Sequence, residues 1–156
     1  MKILGVDPGI ATTGFGLIEK KSYNQYVCLD YGIIKTKPNL SDAERLTQIR
    51  NDLKELLKIS KPDFIGIEEL FFSQNVKTGI QVAQARGVML ELINEEQIPF
   101  QEIKPNEIKS MITGYGHAEK QQVQLMTKEI LNLPEIPRPD DAADGLAVAL
   151  TLGYLE

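Results

Sequence analysis

The chain has 156 residues, of which 42% are apolar, and a formal net charge of -5. This is enough for one compact domain over residues 1–156 with a substantial core. The single cysteine, Cys28, excludes an internal disulfide and a cysteine-based zinc site, and its apolar surroundings predict a buried structural thiol. No apolar run approaches the roughly 20 residues of a membrane-spanning helix, and no signal segment opens the sequence, so we expect a cytoplasmic protein without a membrane partner.

The acidic net charge counts against nucleic-acid binding, because attraction to phosphate usually appears as a basic excess. A cluster of metal-binding carboxylates would, however, contribute negative charge that bound cations cancel, while lysine and arginine gather on one face. The placement of the charges therefore decides more than their sum.

Turn signals and hydrophobic periodicity divide the chain into strands and helices. An apolar run that breaks at Asp7-Pro8-Gly9 predicts a hairpin, and the capping-box pattern of Ser41 and Glu44 predicts a helix start. In chain order, we predict strands over 2–6, 14–18 and 26–35, a helix over about 41–59, a strand over 63–68, a helix over about 75–96, a strand over 99–103, and helices over 105–112, 118–131 and about 140–152. This order favours an α/β fold with a mixed five-stranded sheet and helices on both faces.

The spacing of apolar residues also predicts which face of each helix packs inward. The residues assigned to the core are Leu46, Ile49, Leu53, Leu56 and Leu57 in the first helix, Ile80, Ala83, Gly87 and Leu90 in the second, and Val123, Met126 and Ile130 in the helix over 118–131. The strand over 63–68 is apolar throughout, which predicts burial on both faces in the middle of the sheet.

Four acidic residues stand at the ends of predicted elements. Asp7 follows the first strand, Glu68 ends the fourth, and Asp141 and Asp144 lie three residues apart on one face of the last helix. Two like charges ~4 Å apart repel by about 4 kcal/mol at an effective dielectric of 20, so such a cluster needs a neutralising partner. A shared proton would serve one pair, whereas an oxygen-only set of three or four carboxylates suits Mg²⁺ or Mn²⁺ better than zinc. Two such ions roughly 3.5–4 Å apart would promote in-line attack of water on a phosphodiester without a covalent intermediate.

Each acid also has a purely structural interpretation. Asp7 before Pro-Gly is a common turn residue, and acids are favoured at a helix N-terminus by the helix dipole, as Asp141 and Asp144 would be. Glu68 is harder to explain in this way, because charged residues rarely stand where burial is expected without a partner. Its neighbour Glu69 is the better candidate for a solvated position.

Five short segments follow one another along nearly the whole chain: DPGIATTGFG from Asp7, IEELF from Ile67, QARGV from Gln84, GYGHAEK from Gly114, and DAAD from Asp141. In this order they resemble the RuvC-type Holliday-junction resolvases of the RNase H-like nuclease superfamily. The resemblance implies an RNase H-like fold and Mg²⁺, with Mn²⁺ as a substitute and two ions per site. The metal-binding catalytic residues would be Asp7, Glu68, Asp141 and Asp144.

The resemblance also implies the substrate and the partners. A homodimer would place two active sites on a four-way DNA junction and nick two strands symmetrically during DNA recombination and repair, since a two-fold dimer suits a two-fold substrate. A branch-migration complex of RuvA with RuvB would be a further partner.

Three more positions correspond to functional residues of the family. Lys109 and Lys120 match lysines beside the scissile phosphate, where they would stabilise charge developing on the phosphoryl oxygens. Phe71 matches an aromatic residue that stacks on a base, an interaction worth about 1–3 kcal/mol. Taken without the resemblance, the lysines suit a solvated helix surface and Phe71 suits core packing. We expect Arg86 to pack or to bind a phosphate, and His117 to be a loop residue.

Three other functions fit parts of the pattern. The first is an RNase H-like nuclease that acts on RNA or on replication intermediates. The second is a phosphotransferase of the actin and sugar-kinase type, because strand-Asp-x-Gly followed by Thr-Thr-Gly resembles their phosphate hairpin, although those enzymes close two domains over the nucleotide. The third is a DNA-binding module without activity, which the presence of all four acids disfavours.

Overall fold

A computed structural model describes residues 1–70 and 76–156. The elements are β1 (Lys2–Asp7), β2 (Thr12–Ser22), β3 (Gln25–Lys35), α1 (Asp42–Ser60), β4 (Phe64–Glu68), α2 (Val76–Glu95), β5 (Phe100–Ile103), α3 (Pro105–Thr113), α4 (Lys120–Ile130) and α5 (Asp140–Leu155). Every predicted element is present within a few residues of its predicted position, and β2 extends furthest beyond its predicted end. The predicted capping box is also present, since the Ser41 and Glu44 side chains each bond to the other residue's backbone N–H.

The five strands form one mixed sheet in the order β3-β2-β1-β4-β5. The pairs β1–β2 and β2–β3 are antiparallel, whereas β1–β4 and β4–β5 are parallel. Strands β1 and β4 are therefore interior strands, which accounts for the continuous apolar sequence of β4. The predicted hairpin and the predicted mixed sheet are both confirmed.

Each face of the sheet carries its own hydrophobic core, because successive side chains of a strand point to opposite faces. Ile3 and Ile18 pack with buried residues of α3, α4 and α5. Leu4 and Leu17 pack on the other face with buried residues of α1 and α2. The prediction of helices on both faces is confirmed.

Helix α5 lies directly on the backbone of the central strands, because glycines line the contact. A Cβ atom added to Gly5 would lie 2.2 Å from the Gly145 carbonyl oxygen, and one added to Gly16 would lie 2.5 Å from the Leu146 backbone. A Cβ added to Gly145 would lie 2.5 Å from the backbone of Phe15. Only residues without a side chain permit this approach, so these glycines determine where α5 crosses the sheet.

The predicted inner face of α2 is wrong. Ile80, Ala83 and Gly87 are exposed and Leu90 is only partly buried. The buried residues of α2 are Gly79, Ala85, Met89, Leu92 and Ile93. Helix α2 carries small and apolar residues on more than one side, so their spacing alone does not identify the side that faces the sheet.

Two other burial predictions need correction. In α4 Met126 is exposed, while the polar residues Gln124 and Thr127 are buried beside Val123. The Cys28 thiol is partly buried rather than fully enclosed, and this burial raises its pKa to about 11. Within residues 1–70 and 76–156, none of the helices combines the length and the apolar character that crossing a bilayer requires.

Candidate active site

Three carboxyl groups converge at one edge of the sheet. Asp7 ends β1, and Asp141 and Asp144 project from the beginning of α5. One carboxylate oxygen from each residue lies within 4.8 Å of the corresponding oxygens of the other two. Each of the three residues is partly buried, so the group remains accessible to solvent.

Gly14 explains how the two ends of the chain meet at this point. It pairs with Asp7 in the register between β1 and β2. A Cβ atom added to Gly14 would lie 1.8 Å from the Asp141 carbonyl oxygen. The first turn of α5 therefore rests against the strand position opposite Asp7, and the three-residue spacing places Asp144 on the same helix face as Asp141.

Glu68 reaches the site from the neighbouring strand. It ends β4, and the carboxyl ends of the parallel strands β1 and β4 lie at the same edge of the sheet. Its carboxyl group lies close enough to that of Asp7 to raise the Asp7 pKa. Among the described residues, however, Glu68 does not belong to the close group that Asp7 forms with the two α5 acids.

The site destabilises negative charge. Burial holds the pKa of Asp7 well above its ordinary value, and the charges of Glu68, Asp144 and Asp141 raise it further. Burial also raises the pKa of Glu68 and of Asp144. Asp7, Glu68 and Asp144 therefore favour partners that remove their charge, either protons or cations.

Both predicted lysines lie beside the acids. The Lys120 ammonium is 2.6 Å from Asp144 Oδ2, although the lysine side chain remains 55% exposed. Lys109 of α3 lines the same cavity of about 290 Å³ as Glu68, Lys120 and Asp144. The positive charges of Lys120 and Lys109 oppose the rise that burial causes in the pKa of Glu68.

At this site, the Arg86 side chain bonds to two other residues of the protein. Its Nε donates a hydrogen bond of 3.3 Å to the backbone carbonyl oxygen of Glu68, and its guanidinium forms an ion pair with Glu102. The sequence led us to expect packing or phosphate binding for Arg86. It did not predict the link to Glu68, because the contact joins three segments that are separate in the sequence.

The sequence also singled out His117 and Phe71. His117 is an exposed residue of the connection between α3 and α4, as predicted, and its ring lies edge-on to Tyr115 at 5.6 Å. Phe71 lies outside the described residues, so its role in base stacking stays a prediction.

A family model described as crossover junction endodeoxyribonuclease RuvC matches residues 3–152. The chain belongs to the RuvC family. The RuvC of Thermosipho melanesiensis is 49% identical over 152 residues, which cover 97% of this chain and 96% of that protein. The RuvC of Caldicellulosiruptor saccharolyticus is 45% identical over 150 residues, which cover 96% and 90% of the two chains. The structure of T. thermophilus RuvC in complex with a Holliday junction substrate matches with a TM-score of 0.92 and 34% identity, covering 99% of this chain and 94% of that one.

RuvC membership confirms the resemblance and the RNase H-like fold. It gives the enzyme class, a crossover junction endodeoxyribonuclease, and it implies dependence on a divalent cation. It also decides against the phosphotransferase and the inactive DNA-binding module.

Proposed function

We propose that the chain resolves four-way DNA junctions by divalent-metal-dependent hydrolysis of phosphodiester bonds, with Asp7, Glu68, Asp141 and Asp144 as its metal-binding catalytic residues. The observation that carries this proposal is the convergence of three carboxylate oxygens within 4.8 Å in a chain of the RuvC family. Glu68 completes the set through its contact with Asp7.

The residues fit a hard cation. Their donor atoms are all carboxylate oxygens, which Mg²⁺ and Mn²⁺ prefer, and the raised pKa values of Asp7, Glu68 and Asp144 indicate charge that the protein itself leaves uncompensated. Four carboxylates are enough to share two ions. When bound, such ions supply Lewis acidity and lower the pKa of an attacking water.

The lysines act on the phosphate. The ion pair with Asp144 holds the Lys120 ammonium beside the acid cluster, where it would contact a phosphoryl oxygen of bound DNA. Lys109 approaches from α3 on the same side of the cavity. Positive charge at these positions stabilises the oxygens as they gain negative charge. Phe71 stacks on a base at the junction centre, as its match to the family aromatic implies.

We infer that the enzyme is a homodimer that packs through α2. Val76 is 65% exposed and Ile80 is 51% exposed, and Ala83 and Gly87 continue this exposed face along the helix. A Cβ atom added to Gly87 would meet no atom within 4 Å, so this side leaves room for a second helix to approach. A two-fold axis across the face would present two active sites to a two-fold junction.

The dimer proposal has its own test. Ile80→Glu places a charge in the proposed interface, and sedimentation should give a monomer that has lost paired nicking, whereas Gln101→Glu on β5 should remain a dimer. An Ile80→Glu variant that stays dimeric would contradict this interface.

The cellular setting follows from the substrate. Four-way DNA junctions arise on the chromosome, so we place the enzyme in the cytoplasm and infer a RuvA–RuvB branch-migration complex as its partner. Purified RuvA and RuvB should raise the rate of junction resolution; an unchanged rate would oppose this partnership.

The central experiment compares a synthetic four-way junction with a linear duplex of the same sequence in Mg²⁺. We expect paired symmetric nicks in the junction alone, and their loss in Asp7→Asn and Glu68→Gln while junction binding survives. Glu69→Gln is the matched control and should retain cleavage. Cleavage of RNA or of simple duplex without a junction preference would overturn the substrate, and full activity in both acid variants would overturn the site.

A further inference from the structure

We propose that Arg86 is a positioning residue for the metal centre: with its guanidinium held by Glu102, it sets the backbone from which Glu68 extends toward the other acids. This inference rests on the proposed role of Glu68 as a metal ligand. It assigns Arg86 an action through the protein rather than through DNA.

Arg86 joins three elements at the end of β4. Its Nε donates to the Glu68 carbonyl oxygen, and the ion pair with Glu102 fixes the other end of the guanidinium to β5. The Arg86 side chain is only 18% exposed. In the parallel register Glu102 lies beside Ile67, the residue before Glu68, so the arginine bridges adjacent strands where both approach the site.

Glu68 depends on such support because it is the last residue of its strand. The Glu69 N–H donates to the Ile103 carbonyl oxygen at 2.8 Å, which ties one side of this backbone to β5. Arg86 contacts the Glu68 carbonyl from α2. Glu68 lies outside the close group of three acids, so its share in a common cation depends on where its backbone directs the carboxylate.

The pairing with Glu102 separates this role from phosphate binding. A guanidinium neutralised by a carboxylate attracts a phosphate weakly, and removing that carboxylate would strengthen the attraction. For a positioning residue, loss of Glu102 instead has the same effect as loss of Arg86, because both release the contact with Glu68. Lysine cannot replace arginine here, since it lacks the planar guanidinium group that donates two hydrogen bonds in fixed directions.

The test compares Arg86→Gln, Arg86→Lys, Glu102→Gln and the double variant Arg86→Gln/Glu102→Gln with the wild type. The matched control is Arg50→Gln, which removes an arginine that pairs α1 with Glu91 and Glu95 of α2. Mn²⁺ binding to the DNA-free protein is measured by electron paramagnetic resonance. Junction affinity is measured in EDTA, and the Mg²⁺ dependence of cleavage is measured separately.

We expect Mn²⁺ affinity to fall about 10-fold in each Arg86 and Glu102 variant, because residues that orient metal ligands carry effects of this size. The double variant should lose no more than either single variant, since the two residues act as a unit. Junction affinity in EDTA should not change, and Arg50→Gln should bind Mn²⁺ as the wild type does.

Two results would overturn the positioning role. One is wild-type Mn²⁺ affinity in Arg86→Gln and Arg86→Lys. The other is tighter junction binding in Glu102→Gln together with weaker binding in Arg86→Gln, which identifies a phosphate contact. Glu68→Gln separates the two proposals. If the Glu68→Gln variant binds Mn²⁺ as the wild type does, the assignment of Glu68 as a metal ligand fails. If Glu68→Gln loses Mn²⁺ binding while the Arg86 variants bind Mn²⁺ normally, only the positioning role is rejected.

Discussion

Replacing Asp7 with asparagine should stabilise the metal-free protein while it abolishes cleavage. Oxygens of Asp141 and Asp144 lie within 4.8 Å of an Asp7 oxygen, and each fully charged pair at that distance costs about 3.5 kcal/mol at an effective dielectric of 20. Proton uptake relieves most of this cost, because burial and the neighbouring acids hold the pKa of Asp7 well above its ordinary value. We expect a net gain of about 1–2 kcal/mol, which raises Tm by about 2–8 °C in a domain of this size.

Thermal unfolding in EDTA, repeated with Mg²⁺, measures this effect. Mg²⁺ should raise the Tm of the wild type, because a ligand that binds only the folded state stabilises it, and it should raise that of Asp7→Asn much less. Asp63→Asn is the control: that carboxylate accepts a hydrogen bond from the Lys2 N–H at 2.7 Å, so its loss should not stabilise the protein. An unchanged or lower Tm for Asp7→Asn in EDTA would refute the claim that these acids repel one another.

The same geometry leads to three more predictions. The folded-state pKa of Asp7 is raised, so protonation of Asp7 stabilises the fold fully at pH values below its unfolded-state pKa, and this stabilisation is lost as pH rises through the folded-state pKa. The amount by which the Tm of Asp7→Asn in EDTA exceeds that of the wild type should therefore grow from about pH 4 toward neutral pH. A difference in Tm that does not change with pH would contradict the raised pKa. Lys120→Ala should lower the single-turnover cleavage rate about 10²–10³-fold with little change in junction affinity, and equal activity in Lys120→Ala would exclude the phosphate role. Gly145→Ala should lower the free energy of unfolding by about 1–3 kcal/mol and raise the Mg²⁺ concentration needed for cleavage, because the added Cβ atom would collide with the β2 backbone. A wild-type Tm for this variant in calorimetry would disprove the close contact.

Sequence patterns predicted the elements well where the signal is local. The Ser41 capping box and the alternation of turn residues with apolar runs depend on neighbours within a few positions. The side of α2 that faces the sheet is not determined by nearby residues. Both Met89 and Ile80 suit an apolar contact, and only the position of the sheet distinguishes them. The strand order and the crossing point of α5 depend likewise on segments far apart in the chain.

In the candidate site, too, the sequence predicted some features and not others. Asp7 and Glu68 were found because each follows an apolar strand, and the spacing of Asp141 and Asp144 indicated a shared helix face. The bond from Arg86 to the Glu68 carbonyl, by contrast, depends on how α2 packs beside β4 and β5. No periodicity in the sequence specifies that contact.

The acids come from distant parts of the sequence, and this has a consequence for biosynthesis. Asp7 belongs to the first strand, whereas Asp141 and Asp144 belong to the last helix, so their meeting closes nearly the whole chain into one loop. Contacts of such long sequence separation form slowly, because the chain loses conformational entropy when the loop closes, before the favourable packing contacts have formed. A ribosome-bound chain that lacks α5 has no complete cation site and should leave DNA intact, so the nuclease becomes competent only after its last helix has emerged and docked.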